Sequence, residues 1–435
     1  LTPTQTGISV DSNGVVTVSA TLAANTYYET VVVTDSLGTQ SKATLTILVN
    51  PGISFNAYGT LYSTAGVAYT FGSISTLAGT GTGAIRYTMT NLNSVFSIDS
   101  VTGVIRVTSG VTSGTKYETV TATDSLNVTK TTMVTFNISA AMTFTGFVAP
   151  AGTQGATTVF GSLNVSGGTG NKSYAIAGNS NVTINSSTGA ITINGAITAG
   201  NYSETITVTD SVGATAQQVF TLVIAAPISL TAGSNILTTQ GRADSSTAVS
   251  KTGGTGTVRY SLASYATGIT IDSVTGRVLV STAALQGHYD ETIIATDSAG
   301  ATASVGMTVD INGPIIVTGG NNIITTQSRA DTTTAFSATG GTGTLTLRKS
   351  SSNVNIIFDT ATSKLRVTGS LTAGIYVETI VATDSLGVTG IETITITVAS
   401  PITISGRFTE STTVGYAFTS AGFTASNGTG TKTFS

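Results

Sequence analysis

Five aspartates and five glutamates are the ionisable residues that keep step along this chain of 435 residues. The phrase Glu-Thr-(Val/Ile)-x-(Val/Ala)-Thr-Asp-Ser sets its Asp at Asp35, Asp124, Asp210, Asp297 and Asp384, at intervals of 89, 86, 87 and 87 residues. Its Glu keeps the same step at Glu29, Glu118, Glu204, Glu291 and Glu378. A carboxylate that opens an Asp-Ser-x-Gly turn can close it by accepting backbone N–H groups. A Glu on the apolar side of a strand must be hydrogen-bonded at the core rim, because an unpartnered buried carboxylate is costly. No Lys or Arg recurs in step with it, so its donor is expected to be backbone or hydroxyl, and Lys–Asn cross-links are excluded by the same absence of register. His288 is the sole histidine and has no nucleophile and orienting group beside it, so no catalytic site is expected. Gly-Thr-Gly stands at Gly81 to Gly83, Gly168 to Gly170, Gly254 to Gly256, Gly341 to Gly343 and Gly428 to Gly430. With no Lys placed as in a phosphate loop and no helical period after it, this motif reads as a turn between strands.

The elements that carry these residues are strands. Tyr27, Glu29, Val31, Val33 and Asp35 share one face by period-2 alternation, and Ala43, Leu45, Ile47 and Val49 return after the turn Asp35 to Gly38. Each unit therefore ends in a β-hairpin. Upstream, Phe96 to Val107 reads as strand, turn, strand around Asp99 and Gly103. About seven short strands in about 87 residues predict a two-sheet sandwich. Pro51, Pro227, Pro314 and Pro401 open successive units. The expected domains are 1–50 (the C-terminal half of a repeat), 51–140, 141–226, 227–313, 314–400 and 401–435 (the N-terminal half of a repeat), with no spacers.

Composition agrees with this reading. Charged residues make up 9% and apolar residues 40%, with 50 Gly, 6 Pro and no Cys. This suffices for a small core per repeat, and disulfides and thiolate metal sites are excluded. A long Cys-free repetitive chain fits a prokaryotic exported surface protein. The net charge of −3 and the scattered basic residues exclude a nucleic-acid footprint. No apolar run reaches the roughly 20 residues of a membrane span. Eight Asn-x-Ser/Thr sequons (Asn127, Asn137, Asn164, Asn171, Asn181, Asn185, Asn201 and Asn427) permit glycosylation without following the repeat.

Three blocks of one repeat carry a resemblance: Gly253-Gly254-Thr-Gly256 with Tyr260, Gly268-Ile-Thr-Ile-Asp272 with Thr275-Gly276, and His288-Tyr289 through Asp297-Ser-Ala-Gly300. They resemble the immunoglobulin-like and cadherin-like repeats of bacterial and archaeal surface proteins, over nearly the whole chain. The resemblance implies an all-β tandem array of sandwiches serving as spacer, stalk or adhesive unit. In calcium-dependent cadherins the matching Asp is a ligand. The rest of that ligand set is missing, with no Leu-Asp-Arg-Glu-like segment before Tyr289 and no Asp-x-Asn-Asp-Asn linker after Asp297. No cofactor is expected, calcium being the one candidate. Tyr27, Tyr117, Tyr202, Tyr289 and Tyr376 read as core-edge tyrosines bonded to a neighbouring loop, similar to a tyrosine corner. The chain departs from the pattern at Ser363, which replaces the turn Gly of Gly103, Gly189 and Gly276, and at Asn185, which replaces the Asp before that turn.

The ends extend the inference. Phe434-Ser435 read straight into Leu1 through Gly7, Ile8 and Val10 reproduces Tyr260-Ser261 through Gly268, Ile269 and Ile271 without a gap, and 435 is five times 87. Leu1, Gly7, Ile8, Val10, Phe434 and Ser435 are thus the expected junction residues. Either the chain is a window of a longer repetitive polypeptide or separate copies complete each other's split sandwich. Stacked sandwiches without linkers are expected to make a stiff rod. The expectation is a non-enzymatic building block of an extracellular filament, sheath or surface layer, with itself as partner. The alternative is the stalk of a large bacterial adhesin, with its ligand, a surface glycan or host molecule, bound elsewhere.

Overall fold

The computed structural model describes residue 1, residues 5–90 and residues 94–435. It divides into two compact units, Leu1–Pro150 with Thr158–Asn194 and Asn201–Val223, and Ala151–Thr157 with Gly195–Gly200 and Ile224–Ser435. The division falls inside residues 141–226. All regular structure among the described residues is β-strand, and no helix there is long and apolar enough to cross a membrane.

The repeat at 227–313, in the second unit, shows the plan. A four-stranded sheet has the order Ile236–Thr239, Thr302–Asn312, Gly287–Thr296, Arg259–Leu262, and a three-stranded sheet the order Asp244–Ser245, Val278–Val280, Ile269–Ile271. The long hairpin is antiparallel, with Gly287 opposite Ile311 and Thr296 opposite Thr302. The edge strand is parallel to the last strand, from Ile236 opposite Val309 to Thr239 opposite Asn312. The core between the sheets holds Ile269, Val278, Ile293, Ala295 and Val309. Residues 314–400 repeat this order strand for strand. In the first unit, residues 51–140 do so around Phe71, Phe96, Ile105 and Phe136, where the rings of Phe96 and Phe136 stack at 4.2 Å. The chain is an all-β tandem array of Ig-like, cadherin-like sandwiches.

Nine strands are present in 227–313, more than the seven that alternation gives. The additional pairing of Ser229–Thr231 with Ser250–Thr252 is too short to show a period, and in 51–140 it shrinks to a single bridge between Phe55 and Thr76. Alternation nevertheless decides the site. Along Gly287–Thr296 the buried positions Glu291, Ile293 and Ala295, continued by Asp297, face one way. The recurring carboxylates are therefore held on the inner side of the hairpin.

Two turns position polar groups. Asp297 Oδ1 accepts the N–H groups of Ala299 (2.9 Å) and Ala301 (2.8 Å), with Gly300 at φ +81°. Asn185 Oδ1 accepts those of Ser187 (3.0 Å) and Thr188 (2.9 Å), doing what Asp272 does for Val274 and Thr275. Ser363 adopts φ 53°, the left-handed conformation that glycine takes at its equivalents.

Candidate functional site

Where one repeat follows another, a threonine from the first and an Asp and a threonine from the second form a buried polar clamp. At Asp297, Oδ2 accepts the Thr255 N–H at 2.7 Å and the Thr153 hydroxyl at 2.5 Å. Thr153 and Thr255 Oγ1 lie 2.7 Å apart, and Thr255 Oγ1 donates to the Gly152 carbonyl at 2.6 Å. Asp210 repeats the arrangement with Thr169 N–H (2.8 Å) and Thr64 Oγ1 (2.5 Å), as does Asp384 with Thr342 N–H (3.0 Å) and Thr239 Oγ1 (2.6 Å). Asp210, Asp297 and Asp384 are all buried, as are Thr64, Thr153 and Thr239.

The Gly-Thr-Gly turn makes this approach feasible. A Cβ on Gly256 (φ +66°) would stand 2.5 Å from Ser298 Oγ, and one on Gly254 (φ +77°) 2.9 Å from Ile228. Only glycine allows the Thr255 N–H to meet the carboxylate. Burial raises the acidities' onset at Asp210, Asp297 and Asp384, but the threonine hydroxyl and three N–H groups outweigh it. Each carboxyl is held below the ordinary Asp value.

The other recurring residues occupy separate places. Glu29, Glu118, Glu204, Glu291 and Glu378 are buried. Glu118 accepts from Thr90 Oγ1 (2.8 Å), Glu204 from Asn179 N–H (3.0 Å) and Glu378 from Ser351 Oγ (2.6 Å). Burial raises the Glu291 carboxyl above its ordinary value, opposed by a bond from Ser264. Asp124 lies in an incomplete version of the clamp, with Oδ2 taking the Thr82 N–H at 2.9 Å. Asp35 is exposed, and its Oδ1 takes the N–H groups of Leu37 (2.9 Å) and Thr39 (2.8 Å).

Calcium does not fit here. Each oxygen of Asp297 already accepts two donors, and the surrounding groups present N–H and O–H protons where a cation needs lone pairs. Among the described residues no three His, Asp or Glu side chains gather where a metal ion could be held.

Tyr27, Tyr289 and Tyr376 donate to the carbonyls of Ala23 (2.7 Å), Leu285 (3.1 Å) and Thr372 (3.0 Å), each four residues earlier. Tyr117 departs from the series. It is exposed, one residue out of phase, and Lys116 holds the equivalent place, reaching Thr112 at 3.2 Å. The phase slip puts Tyr117 on the opposite side of the strand. His288 is exposed on the outer face, bonded to Asp310 through Nδ1 at 2.5 Å.

At the ends, Ile8 is buried, Leu1 and Val10 half-buried, and Gly7 (φ +95°) accepts the Ser19 N–H at 2.7 Å. Phe434 and Ser435 are exposed. Residues 2–4, through which the reading from Phe434 into Gly7 passes, lie outside the described residues.

The clamp threonines are the functional residues that the motif search missed. Thr64, Thr153, Thr239, Thr326 and Thr413 recur at the same intervals as the aspartates, 89, 86, 87 and 87 residues. That signal is hidden because threonine is everywhere in the chain.

No family model and no curated protein matches the sequence. Among solved structures the chain is similar to Sidekick-1 immunoglobulin domains 1–5, at 13% identity and TM-score 0.27, covering 89% of this chain and 94% of that one. It is similar also to Drosophila OTK extracellular domains 3–5, at 10% identity and TM-score 0.26, covering 58% and 94%. A third is protocadherin gamma B2 extracellular cadherin domains 3–6, at 14% identity and TM-score 0.24, covering 80% and 99%. At these scores the strand order and register described above carry the fold assignment.

Proposed function

We propose that this chain is a non-enzymatic structural repeat array of an extracellular filament, sheath or surface layer, working through association with further copies of itself or within a longer repetitive chain. On this reading the folding units are 51–140, 141–226, 227–313 and 314–400, with 1–50 the C-terminal half and 401–435 the N-terminal half of a repeat. The observation that supports it is the clamp. Three times a buried carboxylate of one repeat binds a threonine of its neighbour, so at Asp210, Asp297 and Asp384 the recurring Asp serves the joint between repeats. A low-charge surface rich in hydroxyls also tolerates side-by-side packing without electrostatic repulsion.

Electron microscopy of the purified chain tests the reading. Ordered fibres or sheets support it. Isolated particles, with native material carrying a distinct terminal knob, would replace it with the stalk of an adhesin.

A further inference from the structure

We propose that the repeat at 314–400 carries a binding groove for an acidic polysaccharide, a sugar chain bearing carboxylates. Two adjoining clefts form it. One, of ≈ 420 Å³, is lined by Arg348, Lys349, Ser352 and Val354, and the other, of ≈ 400 Å³, by Lys364 and Arg366, with Ile357, Phe358 and Thr360 lining both. Four of the 17 Lys and Arg of the chain thus line one hollow. Among the described residues none of the four forms an ion pair. Asp359 stands opposite Lys364 in the strand pairing, but its carboxylate closes its own turn, accepting from the Ala361 N–H at 2.9 Å and the Thr362 hydroxyl at 2.7 Å. The hollow keeps an excess of positive charge.

The other repeats show that the sandwich does not need these side chains. Lys349 pairs with Ile380 at the place where Met89 pairs with Val120, Ile176 with Ile206 and Leu262 with Ile293. A lysine therefore stands where Met89 and Leu262 pack on the core. It is half-buried, and its ammonium turns away to donate to the Asn353 carbonyl at the cleft. Arg348, the residue before it, replaces Thr88, Ala175 and Ser261. On the three-stranded sheet Arg366 lies opposite both Thr332 and Ile357. Ile357 is 43% exposed, in the place that Ser97, Thr183 and Thr270 hold elsewhere. Val354 is 81% exposed. A core position given to a cation and a hydroxyl position given to an exposed isoleucine are both unfavourable for folding alone, and both fall on the same hollow.

The chemistry of the lining selects the ligand. Backbone N–H groups of the loop are already used: that of Ser350 on the Thr379 carbonyl at 2.9 Å, that of Asn355 on Asn353 Oδ1 at 2.9 Å and that of Ile356 on the Asn353 carbonyl at 3.2 Å. The loop accordingly offers a peptide little of the main-chain ladder that strand addition uses. It presents cations, the hydroxyls of Ser352 and Thr360, and the aliphatic side chains of Val354 and Ile357. Guanidinium and ammonium groups take carboxylates. The hydroxyls exchange hydrogen bonds with sugar hydroxyls, and the C–H face of a sugar ring covers an aliphatic side chain. A chain of uronate sugars supplies all three, whereas a phosphate polymer leaves Val354 and Ile357 uncovered.

Titration calorimetry of the full-length chain with polygalacturonate at low salt tests the groove, with dextran, polyglutamate and polyphosphate as comparison polymers. Polygalacturonate is expected to bind, dextran to give no heat, and the other two polyanions to bind about tenfold or more weakly. Arg348→Ser combined with Lys349→Leu installs the residues of the preceding repeat. It is expected to weaken polygalacturonate binding about tenfold or more, while the chain melts no lower than before. Ile357→Thr is expected to weaken polygalacturonate about threefold and to leave polyphosphate unchanged. Arg106→Thr, the matching change in the repeat at 51–140, should leave all binding as it was. Polygalacturonate binding that survives the double variant, or that Arg106→Thr weakens equally, overturns the groove, as does no binding at the highest attainable concentration. Polyglutamate or polyphosphate binding as tightly as polygalacturonate overturns the sugar assignment.

Discussion

Replacing Asp297 by Ala isolates the joint between repeats from the turn it also closes. The carboxylate accepts four bonds, from the N–H groups of Ala299, Ala301 and Thr255 and from the Thr153 hydroxyl, at 2.5 to 2.9 Å. Asp297 is 6% exposed, so water cannot take over all of these donors. At about 1–3 kcal/mol for each buried donor left unmet, with partial relaxation, the loss should be about 3–5 kcal/mol. Asp35→Ala removes an exposed Asp whose bonds lie within its own turn, from the N–H groups of Leu37 and Thr39, so its effect should be much smaller. The assay is urea unfolding of both variants, followed as separate transitions because an array of repeats need not unfold in one step.

Acid supplies a second axis. A carboxyl held below its unfolded value stabilises the fold above that value, and the contribution fades as pH falls through the lowered native value. The wild type should therefore lose stability below about pH 4 more steeply than Asp297→Ala. Equal losses for Asp297→Ala and Asp35→Ala, or an unchanged acid profile, would refute the account of the clamp.

Four further outcomes follow from the geometry. Ser363→Gly should stabilise its repeat by up to about 1 kcal/mol, since Ser363 sits at φ 53°, and thermal melting would detect it. Gly103→Ala should destabilise by about 2 kcal/mol or more in the same assay, because its Cβ would lie 2.2 Å from the Ile74 carbonyl oxygen at φ +68°. Tyr376→Phe should lower stability by about 1 kcal/mol through its lost bond to Thr372, while Tyr117→Phe, at an exposed site, should leave unfolding unchanged. EDTA should leave the melting temperature where it is, because the Asp297 oxygens are filled by protons; a drop of several degrees would overturn the donor assignment.

The strands, hairpins and repeat length were legible because period-2 alternation and turn glycines act locally. Glu291 reads as lying on the apolar side of its strand from its parity with Ile293 and Ala295, and it is buried; Asp297 reads as a turn-closing carboxylate, and its Oδ1 does close the turn. The clamp was not legible in the same way. Thr153 and Asp297 are 144 residues apart, and nothing in a pattern read along one strand reveals a hydroxyl brought in from another repeat. The parallel edge strand was hidden for a related reason: Ile236–Thr239 is four residues long, too short for a period, and its pairing is set by packing on the last strand. At Tyr117 a local reading failed outright, because a one-residue slip exchanges the faces of a strand and aligning by residue type conceals it.

The parallel pairing of Ile236–Thr239 with Thr302–Asn312 also governs the response to tension. The first of these strands lies near the start of the repeat and the second at its end, and they run side by side in the same direction. A pull on the two ends drives them past each other lengthwise, so their backbone bonds must rupture together instead of opening one at a time like a zipper. The same arrangement recurs at Leu61–Thr64 with Thr129–Ser139 and at Ile323–Thr326 with Thr389–Ala399. Stretching the array should accordingly produce a sawtooth of high, similar forces, one tooth for each repeat that yields.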